Sequence, residues 1–199
     1  DALEATWMLL GIIVDTNNFI YRTSAKTFEV ASMLKRFGAD MTIVKKYLKE
    51  DITDKHTRNE FISNIEFYKE RVGIAVGRSD ITYDRATLAK ISDEIISINN
   101  TDVGITIGYI SPDVIGISAR SLGAVNVQLL MEKLGGGGHL NNAATQIASK
   151  DINDIVEKVK ALVDEYLGKE EIMKVILTKE VKGRGKKGDL IELQPGFAN

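Results

Sequence analysis

Leu134-Gly-Gly-Gly-Gly-His-Leu-Asn-Asn-Ala-Ala-Thr145 is the stretch on which the reading of this chain turns. Four consecutive glycines lose more backbone entropy on ordering than any other tetrapeptide, so a fold that keeps them is using the missing side chains. Upstream, Val127, Leu130, Met131 and Leu134 recur at i, i+3, i+4 and i+7, one face of a helix that Gly135 can end as its C′ residue. Downstream, Asn141 and Asn142 are candidate caps of a second helix, whose free N–H groups would point back at the glycines. Gly136, Gly137 and Gly138 then let an anion approach bare main chain, with His139 as a donor beside it. The bland alternative is a flexible linker, but linkers are usually flanked by Ser, Pro or charge, and this one joins two apolar-patterned segments.

The rest of the 199 residues bounds the class. Without Cys and with two Pro, the chain can build one large or two small cores and no disulfide framework, which fits a reducing compartment. A formal charge of -2 argues against wholesale coating of nucleic acid. The longest apolar run, Trp7 to Val14, is too short to span a bilayer and no basic region precedes it, so a soluble chain without membrane contact is expected. Charge is uneven: residues 1–172 carry 20 basic and 25 acidic side chains, residues 173–199 carry 6 and 3. That shift marks a boundary near 172, and a weaker one falls at 66–72, where a polar helical stretch gives way to Gly73-Ile-Ala-Val-Gly77.

In chain order the pattern predicts a mostly buried helix over Ala2–Val14, closed by Asp15-Thr-Asn-Asn18. A carboxylate there faces the negative end of the helix dipole and calls for Arg22, Lys26 or a metal, unless it only closes an Asx turn. Helices are expected over 27–37, 42–48, 54–65 with Asp54 as cap, and 84–98. Asp51, Asp54 and His56 form a tempting metal set, weakened by the better use of Asp54 as a cap. Val103 to Tyr109 alternates, Ser111-Pro-Asp113 turns, and Val114 to Ser118 returns as a hairpin. Arg120 at its far end is a candidate phosphate fork close to the glycines, against the alternative of a solvent arginine. A clear amphipathic helix over 152–166 implies packing on a sheet and hence an α/β layer. Beyond Met173, two strand-like segments flank Lys182-Gly-Arg-Gly-Lys-Lys-Gly188, a basic loop suited to phosphates or simply a solvated hairpin tip.

Residues 1 to about 168 resemble the C-terminal part of the DHH phosphoesterase superfamily, most closely the cyclic-di-AMP phosphodiesterases of the GdpP type. The resemblance is carried by Leu10-Gly-Ile-Ile-Val-Asp-Thr-Asn-Asn-Phe19, Arg22-Thr-Ser-Ala-Lys-Thr-Phe28, Ile117-Ser-Ala-Arg-Ser121 and Gly135-Gly-Gly-Gly-His-Leu-Asn-Asn-Ala-Ala-Thr-Gln146. It implies a helical remnant of a DHH catalytic domain over 1–68 and a DHH-associated domain with a mixed, helix-covered sheet over 69–170. It also implies that Asp15 is the last metal-ligating aspartate of a Mn²⁺ pair, and that Arg120, Gly136, Gly137, Gly138, His139 and Asn142 line the nucleotide pocket. The other metal-ligating motifs of that family do not occur in this chain. Two metals need several anionic or imidazole ligands, so the chain is expected to begin after a truncation and to lack useful turnover alone.

Met173 to Asn199 resembles the opening of the ninth protein of the bacterial large ribosomal subunit, which implies a truncated hairpin over 171–199 with Lys182, Arg184, Lys186 and Lys187 on ribosomal RNA. The combined expectation is a fragment of a phosphodiesterase that converts cyclic-di-AMP to pApA, fused to an RNA-binding segment. Its partners would be a cyclic dinucleotide or short oligonucleotide and ribosomal RNA. A cytoplasmic location goes with it, whether or not the parent is membrane-anchored, as does a homodimer. The rivals are a ribosomal RNA binder and a non-catalytic nucleotide-binding module.

Overall fold

A computed structural model describes residues 1–123, 125–170, 173–176 and 186–193. The chain divides into two compact units, residues 1–55 and 56–199. The first is helical: α1 (Ala2–Asp15), α2 (Ala25–Arg36) and α3 (Met41–Tyr47), with α4 (Ile52–Ser63) crossing the boundary. Asp1 and Glu4 close a capping box on α1, and Ala5, Leu9 and Ile13 bury its one apolar stripe against Leu34, Ala39 and Val44. The expectation of a mostly buried α1 does not hold within this unit. Leu3, Trp7, Met8 and Val14 are exposed, because two short helices cover only about a third of its circumference. Nor does Asp54 cap α4. Asp51 accepts from the Thr53 N–H at 2.8 Å, which starts the helix a turn earlier and leaves Asp54 in the first turn.

The second unit is an α/β layer. Its six-stranded mixed sheet runs β1-β2-β3-β4-β6-β5, formed by β1 (Glu66–Tyr68), β2 (Val72–Val76), β3 (Val103–Ser111), β4 (Val114–Ser121), β5 (Gly137–His139) and β6 (Asn142–Ala148). Only β2 and β3 pair in parallel, joined by the crossover helix α5 (Arg85–Ile95) that Asp84 caps through the Thr87 N–H at 2.7 Å. Alternation sorts the two faces. Ile105, Ile107, Ile115, Ile117 and Ala119 enter one core with α6 (Val127–Lys133) and α7 (Ile152–Glu170). The interleaved Gly104, Thr106, Gly116 and Ser118 turn to α5. A side chain at Gly104 would stand 2.5 Å from the Ser92 carbonyl, so the missing Cβ brings α5 down onto the sheet. There the buried Ser92 hydroxyl lies 2.8 Å from Thr106 Oγ1 and 3.0 Å from the Ser118 carbonyl oxygen, fixing helix to strands. A separate antiparallel pair, β7 (Met173–Ile176) and β8 (Leu190–Leu193), forms the C-terminal hairpin.

Candidate functional site

The glycine stretch begins as the helical spacing suggests. α6 stops at Lys133, the Gly135 N–H reaches the Glu132 carbonyl at 3.0 Å, the Gly136 N–H reaches that of Met131 at 2.8 Å, and Gly135 takes φ +78°. This pairing of carbonyls is a Schellman closure. The residues beyond it do not form a second helix. β5 and β6 make a tight hairpin with Gly137 opposite Ala144, Gly138 opposite Ala143 and His139 opposite Asn142. The expected caps Asn141 and Asn142 instead sit in the turn and at the start of β6. The alternation of buried Ala143 and Thr145 with exposed Asn142, Ala144 and Gln146 is the strand period, which outweighs the capping residues. The helix N-terminus expected after the glycines is therefore replaced by a strand.

The glycines divide by role. A Cβ on Gly136 would lie 2.3 Å from the Ala144 carbonyl oxygen, and one on Gly138, at φ +151°, 2.4 Å from that of Asn142. Those two missing side chains make room for β6 itself. Gly137, between them, has open space where its side chain would be.

Register then brings several of the expected residues together. Arg120 on β4 pairs with Asn142 on β6, which pairs with His139 on β5, one transverse row across three strands. The adjacent row is Ser118, Ala144 and Gly137. Residues in a row share a face, and the Arg120 side chain, bonded to Asp93 on α5 and to the Ser118 hydroxyl, identifies it as the α5 face. Between α5 and β6 lies a cleft of about 330 Å³, lined by Arg85, Leu88, Ser118, Arg120, Ala144 and Gln146 among others. His139 and Asn142 are exposed beside it.

Arg120 is held from three sides. Its Nε donates to Asp93 Oδ1 at 3.0 Å, and its Nη1 reaches the Ser118 hydroxyl at 3.3 Å and the Ala119 carbonyl at 3.1 Å. Nη2 has no partner among the described residues and is the donor left for a ligand. Burial pushes the Asp93 carboxyl above its ordinary range, and the Arg120 charge and hydrogen bond pull it back only in part. On the opposite side of the cleft, Arg85 Nη2 donates to Gln146 Oε1 at 2.8 Å. Sequence pattern singles out none of Asp93, Arg85 and Gln146 as site residues. Gln146 ends the glycine-histidine motif and Ser118 lies within the strand motif around Arg120, but Asp93 and Arg85 carry no periodic signal.

Asp15, the expected metal ligand, is exposed and its Oδ1 lies 3.3 Å from Arg22 Nη1, so the cation that balances the helix terminus is Arg22. Among the described residues no group of three or more His, Cys, Asp or Glu could hold a metal ion, so the side chains present do not fit a metal pair. The Asp51, Asp54 and His56 set fails the same test. A larger cavity of about 690 Å³ lies in the first unit, with Ile13, Met41, Val44, Lys45, Lys49 and Lys55 among the residues lining it. None of the expected site residues lines it. In the tail, Lys186 and Lys187 are exposed, and the Lys186 N–H donates to Asp189 Oδ2 at 2.8 Å. Lys182 and Arg184 lie outside the described residues.

The sheet with its glycine hairpin matches a known domain over the span that holds this cleft. Residues 71–165 are a DHHA1 domain. Residues 173–199 match the ribosomal protein L9 N-terminal domain. The whole chain is 41% identical to a membrane protein-large ribosomal subunit bL9 fusion protein of Aster yellows witches'-broom phytoplasma, covering 100% of this chain and 23% of that protein. It is 42% identical over 164 residues to the cyclic-di-AMP phosphodiesterase PdeA of Listeria monocytogenes, covering 82% of this chain and 25% of the relative. It is 39% identical over 166 residues to the cyclic-di-AMP phosphodiesterase GdpP of Bacillus subtilis, again 82% and 25%. The chain thus spans about a quarter of the length of these relatives. The fold is shared with the crystal structure of an exopolyphosphatase-related protein from Bacteroides fragilis, at TM-score 0.66 and 19% identity over 78% of this chain and 48% of that one. The DHHA1 domain is therefore related to those of cyclic-di-AMP phosphodiesterases and is joined to an L9 N-terminal segment. No described helix is long and apolar enough to cross a membrane.

Proposed function

We propose that the DHHA1 domain binds the phosphate of an adenine dinucleotide in the cleft between α5 and β6, as the recognition half of a cytoplasmic phosphodiesterase that opens cyclic-di-AMP to pApA. The observation that carries this reading is the row Arg120, Asn142 and His139, three polar residues paired across one sheet face, of which Arg120 lines a cleft. Arg120 supplies charge and a free Nη2, prepositioned by Asp93 and Ser118. His139 and Asn142 supply donors from the neighbouring strands, and Gly137 leaves the floor low enough for a phosphate to lie against. Residues 1–68 are the end of the catalytic domain in this reading, 69–170 the binding domain and 171–199 an RNA-contacting hairpin. Manganese chemistry belongs to the longer enzyme. The described residues of this chain do not gather a metal set, so its own part is to bind and orient.

Thermal unfolding with cyclic-di-AMP tests the proposal. At a concentration 100 times Kd the ligand adds about 2.7 kcal/mol to stability, and Arg120→Ala or His139→Ala diminishes that gain. A melting temperature indifferent to ligand removes nucleotide binding from this domain.

A further inference from the structure

The cleft has a second polar end. Arg85, the first residue of α5, donates from Nη2 to Gln146 Oε1 at 2.8 Å and bridges helix to strand. Gln146 stands opposite Gly116 on β4, four positions from Arg120, which at about 3.3 Å per residue is about 13 Å along the strand. Leu88, Ala89 and Ala144 line the cleft beside Ser118, whose hydroxyl is already engaged by Arg120 Nη1 at 3.3 Å. A guanidinium with a free donor at one end, an amide clasped by a second guanidinium at the other and a mostly apolar middle is the arrangement that would receive one nucleotide lengthwise, phosphate to base.

The Arg85 bond also decides how the amide is presented. With one lone pair of Oε1 taken by a guanidinium, the carboxamide is held against a flip, and its NH₂ has no partner among the described residues. Gln146 therefore offers an acceptor and a donor side by side. Adenine answers with its N6 amine and an adjacent ring nitrogen, the pairing that Gln makes with this base elsewhere. Guanine in the same pose sets its O6 acceptor against Oε1.

We propose that Arg85 and Gln146 form the base-reading end of the cleft and select adenine over guanine in the nucleotide whose phosphate is held at Arg120. This rests on the cleft being a nucleotide site. Gln146 is the reading residue and Arg85 a positioning residue that fixes its amide.

The test is calorimetric titration of the full chain with pApA and with pGpG, repeated on Gln146→Glu, Gln146→Leu, Arg85→Ala and Arg120→Ala, each checked for an unchanged circular dichroism spectrum. Both cleft residues are exposed, so the variants are expected to fold. The wild type should prefer pApA by roughly five- to a hundredfold, the discrimination of one bidentate base contact. Gln146→Leu should abolish the preference, Arg85→Ala should reduce it, and Gln146→Glu should shift it toward guanine, whose N1 and N2 protons suit a carboxylate. Equal binding of both dinucleotides, abolished for both in Arg120→Ala, overturns the base reading while the phosphate site stands. A wild-type preference for pGpG overturns it in favour of Arg85 as the reader. Binding of neither removes both proposals.

Discussion

Replacing Arg120 by Ala separates what this residue does for a ligand from what it does for the fold. For a ligand it removes a charged donor, Nη2, whose hydrogen bond to a phosphate is worth about 1.5–3 kcal/mol, so Kd for pApA should rise roughly ten- to a hundredfold. For the fold it removes the cation beside Asp93. The two side chains keep 17% and 33% of their exposure, so water reaches the stranded carboxylate and the cost is well below that of a fully buried pair, about 1–2 kcal/mol. The sign with pH comes from the Asp93 carboxyl, already raised by burial. Without Arg120 it rises further above its unfolded value. The destabilisation is then fully present above the raised folded value and fades as pH falls through it toward the ordinary carboxylate range, below which Asp93 is protonated in both states. Asp93→Asn added to Arg120→Ala relieves the stranded charge, so the double variant should regain most of the missing stability at pH 7 and none of the missing affinity. Urea unfolding at pH 7 and at pH 4 reads the first, and calorimetric titration with pApA reads the second. Recovery of affinity together with stability would refute the assignment of Arg120 as a ligand contact and leave it a structural partner of Asp93.

Three further outcomes are expected. Gly136→Ala and Gly138→Ala drive a methyl into the β6 backbone and should each cost about 1–3 kcal/mol, lowering the melting temperature by about 2–4 °C per kcal/mol. Gly137→Ala meets open space and should leave stability within about 0.5 kcal/mol while weakening pApA, because its methyl rises on the face that carries Ala144 and Ser118. Wild-type affinity in that variant would show that no phosphate lies against β5. In the tail, Lys186→Gln with Lys187→Gln should weaken binding to a ribosomal RNA fragment and flatten its dependence on salt by about one unit in log–log slope for each phosphate no longer neutralised. A slope unchanged by the double substitution would take RNA contact away from these lysines.

Much of the second unit was legible because period and chemistry agreed. Alternation over 103–109 and 114–118 set the hairpin, Asp84 and the spacing of Leu88, Ile91 and Ile95 set α5, and the stripe from Ile152 to Tyr166 set α7. The expected proximity of Arg120 to His139 also emerged, though through a different cause. Strand register, not a helix N-terminus, brings them together, and register depends on which strands pair, which composition does not encode. The error at Asn141 and Asn142 arose because capping residues and turn residues are the same residue types; the alternation of Ala143, Thr145 and Ile147 was the deciding signal. Asp93 and Arg85, the partner of Gln146, were invisible for a physical reason. Each reaches its partner across a separation set by the packing of α5 on the sheet, and an isolated polar residue on a helix looks solvated until that packing is known.

The central claim is that the α5 face of the β4-β6-β5 edge is where a nucleotide binds, and amide chemical-shift mapping tests it most directly. Titration of the ¹⁵N-labelled chain with pApA should move the resonances of Ser118, Arg120, Gly137, His139, Asn142 and Ala144 together, with one shared saturation curve. Shifts confined to Val44, Lys45, Lys49 and Lys55 around the cavity of the first unit, with the glycine hairpin silent, would contradict it.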